Sequence, residues 1–276
     1  MNEEAIEILK NLSYELLASI IAWLAAVLTF RPAVKAIERW RFRKSSHLEL
    51  DDNKLFMRCF YANSNRVDEE EHVLLGYPFE YMASASVSTY LNIMSHNKAD
   101  VISSPSPIKD IDAAKEYREN VLLLGGPYHN TVTHYFFGLK EGDTKLPFYF
   151  GSYQGEDATL FYKDGDSVKT FVPKKHSSGD YYAEDYGLIL NIKNPYNPDK
   201  RVIALIGCRS IGVLGAAAFF TEHNKKLRKI TKNMDEYAVV IECHGDNLNV
   251  LQDPEDHFAV ELESAGEDPL IKIVKK

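Results

Sequence analysis

The chain has 276 residues, 45% of them hydrophobic and 26% charged. Those proportions exclude a disordered chain and a polytopic membrane protein. Residues 1–44 carry a net charge of +2, and the overall −8 therefore leaves −10 for residues 45–276. So acidic a part excludes non-specific coating of duplex nucleic acid, which depends on clustered cations neutralising phosphates; a pocket for one nucleotide or a short strand stays open.

From Leu16 to Phe30 the sequence LLASIIAWLAAVLTF contains no charge, and Leu12 to Val34 is long enough to serve as one membrane span. Glu3, Glu4, Glu7 and Glu15 precede or open the run, opposed only by Lys10. Arg31, Lys35, Arg39, Arg41, Arg43 and Lys44 follow it, interrupted only by Glu38. The positive-inside rule then places the N-terminus outside and the large domain in the cytoplasm. A cleavable signal peptide would need a basic leader and a small-residue cleavage site, and the sequence has neither. Ala18, Ala22 and Ala26 form a small-residue stripe of the kind that lets membrane helices associate. Trp40 and Phe42 alternate with basic residues as an interfacial anchor, and Ser45 to Asn53 reads as a polar connector. The domains expected are therefore 1–44, a transmembrane helix with its basic flank, and 45–276, a cytosolic ligand-sensing domain.

Beyond the connector, Lys54–Phe60 reads as a strand and Phe79–Met94 as a helix, from the spacing of Met82, Val87, Tyr90, Leu91 and Met94. Asp100–Ser103 is a short strand. The wholly apolar Asn120–Leu124 is a buried strand running into Gly125-Gly126-Pro127 and a helix to about Gly138. Leu146–Gly151, Ala158–Lys163 and Val168–Val172 are short strands bounded by Gly/Asp turns. Glu184–Ile192 and Arg201–Gly207 follow as strands about an Asn-Pro turn, then a helix over Gly212–Lys229. Tyr237–Cys243, His257–Leu262 and Leu270–Val274 end the chain as strands. The fold class this implies is α/β: a mixed, mainly parallel sheet with antiparallel edge hairpins, the hairpin insert of residues 146–172 and the terminal strands extending the sheet as an antiparallel edge, preceded by one transmembrane helix.

Cys59, Cys208 and Cys243 are too few and too scattered for a disulfide framework. No Cys/His spacing suggests a metal, and no motif demands a cofactor. His129 and His134 do not share a helix face, and Cys243-His244-Gly245-Asp246 reads as a hairpin. Candidate chemistry sits instead at two strand-to-helix turns. In the first, Gly125 and Gly126 permit a tight turn, Pro127 suits the first helical position, and His129, Asn130 and Thr131 line the mouth. In the second, Gly207, Arg209, Ser210 and Gly212 lead into a Gly/Ala-rich helix able to sit tight on the sheet. Free N–H groups at helix starts, with Arg209 as a clamp, suit a phosphate. Neighbouring turns at the carboxyl ends of strands are where open α/β sheets bind ligands. Neither turn has the Rossmann or P-loop pattern. Tyr181, Tyr182, Glu184, Asp185 and Tyr186, on the approach to a strand, read as a solvated loop; the alternative is that they bring carboxylates or stacking rings to the pocket. No Ser/His/Asp or Cys/His arrangement marks a nucleophile, so binding is favoured over catalysis; if the site is catalytic, Glu184 or Asp185 with Arg209 or His129 would carry it.

Asn120-Val-Leu-Leu-Leu-Gly-Gly-Pro-x-x-Asn130, with Asp185-Tyr-Gly-Leu-Ile and the Arg201–Ala217 stretch, resembles the GGPxxN α/β domain of archaeal S-layer proteins and of uncharacterised prokaryotic proteins. It departs from that pattern at Gly207–Gly212, where an Arg and an extra Gly stand in place of an acidic/Thr pair. In architecture, one span followed by a cytosolic α/β domain resembles the membrane effectors of bacterial anti-phage systems, such as the Hailong type paired with a nucleotidyltransferase. That resemblance implies a homo-oligomer in the inner membrane. Its cytosolic domain would bind a nucleotide-type or short oligonucleotide ligand and control an ion channel or pore. The alternatives are a membrane-tethered hydrolase of a nucleotide or NAD-like substrate and a protein-binding membrane scaffold.

Overall fold

The computed structural model describes the backbone of residues 32–42, 46, 48, 54–67, 74–76, 78–95, 98–105, 117–137, 146–178, 182–246, 249–262 and 271–274. The chain divides into two compact units, Met1–Lys44 and Ser45–Lys276. In the first unit residues 32–42 form a helix, α1, on which Trp40 is 62% exposed. Most of the expected span Leu12–Val34, residues 12–31, lies outside the described residues. No helix among the described residues is long and apolar enough to cross a membrane.

The second unit is built on a nine-stranded mixed sheet. Its strands are β1 (Leu55–Tyr61), β4 (Ala99–Pro105), β5 (Asn120–Leu124), β9 (Lys174–Lys175), β10 (Tyr182–Asn194), β11 (Asn197–Gly207), β12 (Glu236–Asp246), β13 (Asn249–Leu262) and β14 (Ile271–Val274). They run in the order β14-β13-β12-β10-β11-β5-β1-β4, with β9 pairing β10. Every residue of β5 is buried, as its apolar run requires, and it lies between β1 and β11 with both neighbours parallel to it. β4 adds to β1 in parallel. The other five ladders, β9–β10, β10–β11, β10–β12, β12–β13 and β13–β14, are antiparallel. The sheet is therefore mixed, as expected, but antiparallel over more of its ladders than the expected mainly parallel arrangement. The reason is local: β10 turns straight back into β11 at Asn194, and β12 to β14 follow one another as neighbours. Asn194 closes that turn from inside. Its Oδ1 accepts from Tyr196 N–H at 2.9 Å, while Nδ2 donates to the Tyr117 and Glu119 carbonyls at 2.7 and 2.8 Å.

Helix α2 (Pro78–Met94) and helix α4 (Ser210–Thr221) share one face of this sheet. Their rings meet at Tyr90 and Phe220, 6.0 Å apart and edge-on. α4 buries Gly212, Val213, Gly215, Ala216, Ala217, Phe219 and Phe220, so it is apolar nearly all round, as suits a helix held between a sheet and another helix. The helix expected over Gly212–Lys229 is two helices. The apolar stripe ends at Phe220, the chain turns at Glu222 and His223, and the charged α5 (Asn224–Ile230) begins anew.

The opposite face is covered by α3 (Thr131–Phe137) and by β6 (Phe148–Tyr153), β7 (Glu156–Asp164) and β8 (Ser167–Phe171), a separate three-stranded antiparallel sheet. This corrects the expectation that the hairpin insert extends the main sheet. β10, β11 and β5 already have both edges paired, and the insert's Phe148, Phe150, Leu160, Tyr162 and Phe171 instead share one core with Val121, Leu123, Leu188, Leu190, Val202, Ala204 and Ile206. Two short strands, β2 (Asn63–Val67) and β3 (Leu74–Gly76), pair with each other; β2 is polar and β3 only three residues long, and the sequence reading includes neither.

Four glycines set how closely α4 approaches the sheet. A Cβ on Gly187 would stand 2.5 Å from the Gly212 carbonyl oxygen, and one on Gly215 would overlap the Cys243 sulfur. Gly207 and Gly212 would collide with backbone at the β11–α4 turn and at Tyr186. Gly215→Ala is therefore expected to lower stability by about 1–3 kcal/mol through overpacking. A denaturant midpoint unchanged from the parent would contradict this close approach.

Candidate functional site

The two turns meet. Because β5 and β11 are parallel neighbours, their carboxyl ends deliver Gly125–Asn130 and Gly207–Gly212 side by side. Gly125 N–H donates to the Leu205 carbonyl at 3.2 Å, and a Cβ on Gly126 would stand 3.4 Å from the Gly207 carbonyl oxygen. Gly125 has φ +94°, and a side chain there would also meet the Ala62 Cβ at 2.6 Å, so this turn admits only glycine comfortably.

The first turn differs from the expected anion cradle. Pro127, Tyr128 and His129 form a turn ahead of the helix, and α3 starts at Thr131. Pro127 is thus not at the first helical position. Asn130 caps the helix by accepting from Thr133 N–H at 3.0 Å. It is fully buried and donates Nδ2 to the carbonyls of Phe60 (3.0 Å) and Leu124 (2.9 Å), tying the ends of β1 and β5 together. Asn130 is therefore a bracket inside the fold and does not line a mouth. Thr131 is half-buried at the helix start, and Thr133 donates to the Gly125 carbonyl at 3.1 Å. His129 lies on the surface, and burial together with the neighbouring Arg209 holds its imidazole below the ordinary value.

The second turn is already occupied, and by the protein's own carboxyl group. Asp185, fully buried on β10, accepts from Gly212 N–H at 2.5 Å, from Arg209 N–H at 3.0 Å and from Tyr186 N–H at 2.8 Å. Arg209 is the N-cap residue of α4 and makes no capping bond with its own side chain. Asp185 supplies the cap from another strand, where the helix start favours negative charge. Gly207 and Gly212 are required by packing, so the free N–H cradle expected at this turn is taken. Asp185 is also too enclosed to meet a substrate as a base. Beside it, Ser210 donates to Glu80 Oε1 of α2 at 3.0 Å; burial pushes that carboxyl up, and its Oε2 has no hydrogen-bond partner among the described residues.

What faces outward is the Arg209 side chain. Its guanidinium lies 4.8 Å from the Tyr182 ring centroid, and Nη2 donates to Glu156 Oε2 at 2.9 Å. Tyr182 donates its hydroxyl to the same Oε2 at 2.7 Å, and Lys175 Nζ stands 3.3 Å from Glu156 Oε1. Burial alone would raise the Glu156 carboxyl, but these three donors outweigh it and hold it below the usual carboxylate range. Arg209, Lys175, Tyr182 and Glu156 thus form one cluster drawn from four places in the chain. Next to it, Lys174 pairs Glu184 at 2.6 Å, Tyr186 donates to Glu184 at 2.9 Å, and His244 stands 3.0 Å from Glu242. Among the described residues no group of His, Cys, Asp and Glu is arranged to hold a metal ion. Tyr182, Glu184, Asp185 and Tyr186 lie on β10, not in a solvated loop, and Asp185 is fully buried; Tyr181 lies outside the described residues. Glu156 and Lys175 carry no local motif, and sequence reasoning had no signal for them.

Burial pushes Asp185 up to about 7 against the pull of its three N–H donors. The folded protein therefore holds that proton more tightly than the unfolded chain. The resulting stabilisation is full below about pH 4 and is lost as the pH rises through about 7. Between those limits Asp185 is expected to lower stability with a slope of up to ~1.4 kcal/mol per pH unit. Asp185→Asn removes this contribution. Denaturation measured across that window checks it, and parallel profiles for parent and variant would contradict it.

No protein-family model matches the chain, and no curated protein matches it either.

Proposed function

We propose that residues 45–276 form a ligand-binding module for a phosphate-bearing, nucleotide-type molecule, and that the chain is a membrane-anchored, oligomeric effector controlling membrane permeability. The observation carrying the ligand reading is the Arg209 guanidinium lying over the Tyr182 ring where the two turns meet. A planar cation backed by an aromatic ring suits a phosphate on one side and offers a stacking surface to a base. Lys175 and a neutral His129 add a second charge and a hydrogen-bonding ring close by. In a part of the chain carrying −10, such a local cationic group recognises one ligand without attracting nucleic acid at large. Anti-phage defence is the role that the resemblance of this architecture to membrane effectors implies. The anchor rests on the sequence of Leu12–Val34 and its charged flanks.

The hydrolase alternative draws less support. Asp185 is enclosed, and Glu184 is engaged by Lys174 and Tyr186.

The test is a thermal-shift panel on the full chain in mild detergent with mononucleotides, dinucleotides, cyclic nucleotides and short oligonucleotides. A ligand at about 100 times its Kd is expected to add ~2.7 kcal/mol, and Arg209→Ala to remove the shift while staying folded. A flat panel with a folded, monomeric parent overturns the proposal. Turnover that disappears in Arg209→Ala would move the protein to the hydrolase class.

A further inference from the structure

We infer that Glu156 is a built-in competitor for the anion seat, so that a ligand phosphate binds by displacing it and thereby frees the β6–β7 hairpin. The inference rests on the proposed anion site and specifies how that site is regulated.

Glu156 opens β7 immediately after the hairpin tip Gln154-Gly155, both of which have positive φ, 50° and 86°. The tip is exposed and β8 pairs only with β7 in this small sheet. At the far end of the hairpin sits one carboxylate that engages the whole cationic group: Arg209 and Tyr182 through Oε2, Lys175 through Oε1. A carboxylate on two cations and a phenol occupies the place a phosphate oxygen would take. Its hold on the guanidinium is nonetheless single-pointed. Only Nη2 reaches Glu156, and Nε is buried without a hydrogen-bond partner among the described residues. A phosphate, with more acceptor oxygens, satisfies the fork that one carboxylate oxygen leaves incomplete. Asp185 remains on the backbone N–H groups of α4 throughout, since its bonds involve neither Nη2 nor Nε. The switch is thus confined to the side chain of Arg209 and to the insert.

The experiment is calorimetric titration of pyrophosphate into the full chain in mild detergent, for the parent, Glu156→Gln, Tyr182→Phe and Arg209→Ala. Glu156→Gln keeps the shape and loses the charge, and is expected to bind about tenfold more tightly than the parent. Tyr182→Phe keeps the ring under Arg209 but deletes the hydroxyl that holds Glu156, and is expected to shift affinity in the same direction by less. Arg209→Ala is expected to lose binding. Hydrogen exchange should quicken at residues 154–156 when pyrophosphate binds the parent. Binding by the parent that neither Glu156→Gln nor Tyr182→Phe tightens overturns the competitor while leaving the seat. Absence of binding by parent and Glu156→Gln alike overturns the seat and the competitor with it.

Discussion

The architecture of the second unit turns on one buried carboxylate. Asp185 has no contact with water, yet it serves the Arg209 and Gly212 N–H groups at the start of α4 and its neighbour Tyr186. Without it, the helix would begin in the protein interior with unsatisfied donors. With it, α4 is fastened to β10, and β10 pairs β11, the strand from which α4 emerges. The glycines at 187, 207, 212 and 215 serve the same close approach, each lacking a Cβ where the helix, sheet or turn occupies the space. Hydrogen bonding and shape agree at one point, and burial opposes the charge that the N–H donors favour.

Filling that helix start with an internal carboxyl group decides where an external anion can go. The backbone cradle is closed, so the proposed recognition falls to side chains just beyond it: Arg209 over Tyr182, with Lys175 and His129. The insert then has two roles in one. Its apolar face completes the core against β5, β10 and β11, and its first residue on β7 reaches the cationic group. A ligand competing for Arg209 would therefore act on the part of the fold that covers the sheet.

The elements were legible where the sequence signal is local. Asn120–Leu124 is a run of buried apolar residues, and the strand has those bounds. The adjacency of the two turns followed from reading both as strand ends, and β5 pairs β11 as that required. Interactions between distant residues were not legible. Asp185 caps a helix whose N-cap residue, Arg209, lies 24 residues later, and Glu156 meets Arg209 across 53 residues; no spacing rule reaches that far. The insert was misplaced because alternating strands look alike whether they extend a sheet or stack on it, and only the pairing of β10 and β11 on both edges decides. Pro127 misled for a related reason: it suits a helix start, but Asn130, three residues on, is the stronger cap.

The central claim is that Asp185 permanently closes the backbone cradle while the Arg209 side chain remains the ligand's seat. The most direct test is resonance-resolved NMR of the full chain in detergent during titration with pyrophosphate, following the Gly212 and Arg209 backbone amides and the Arg209 Nε–H. The account predicts a large shift at Nε–H with both backbone amides nearly unmoved. Amides that move with the ligand while Nε–H stays in place would mean that the anion displaces Asp185, and would contradict it.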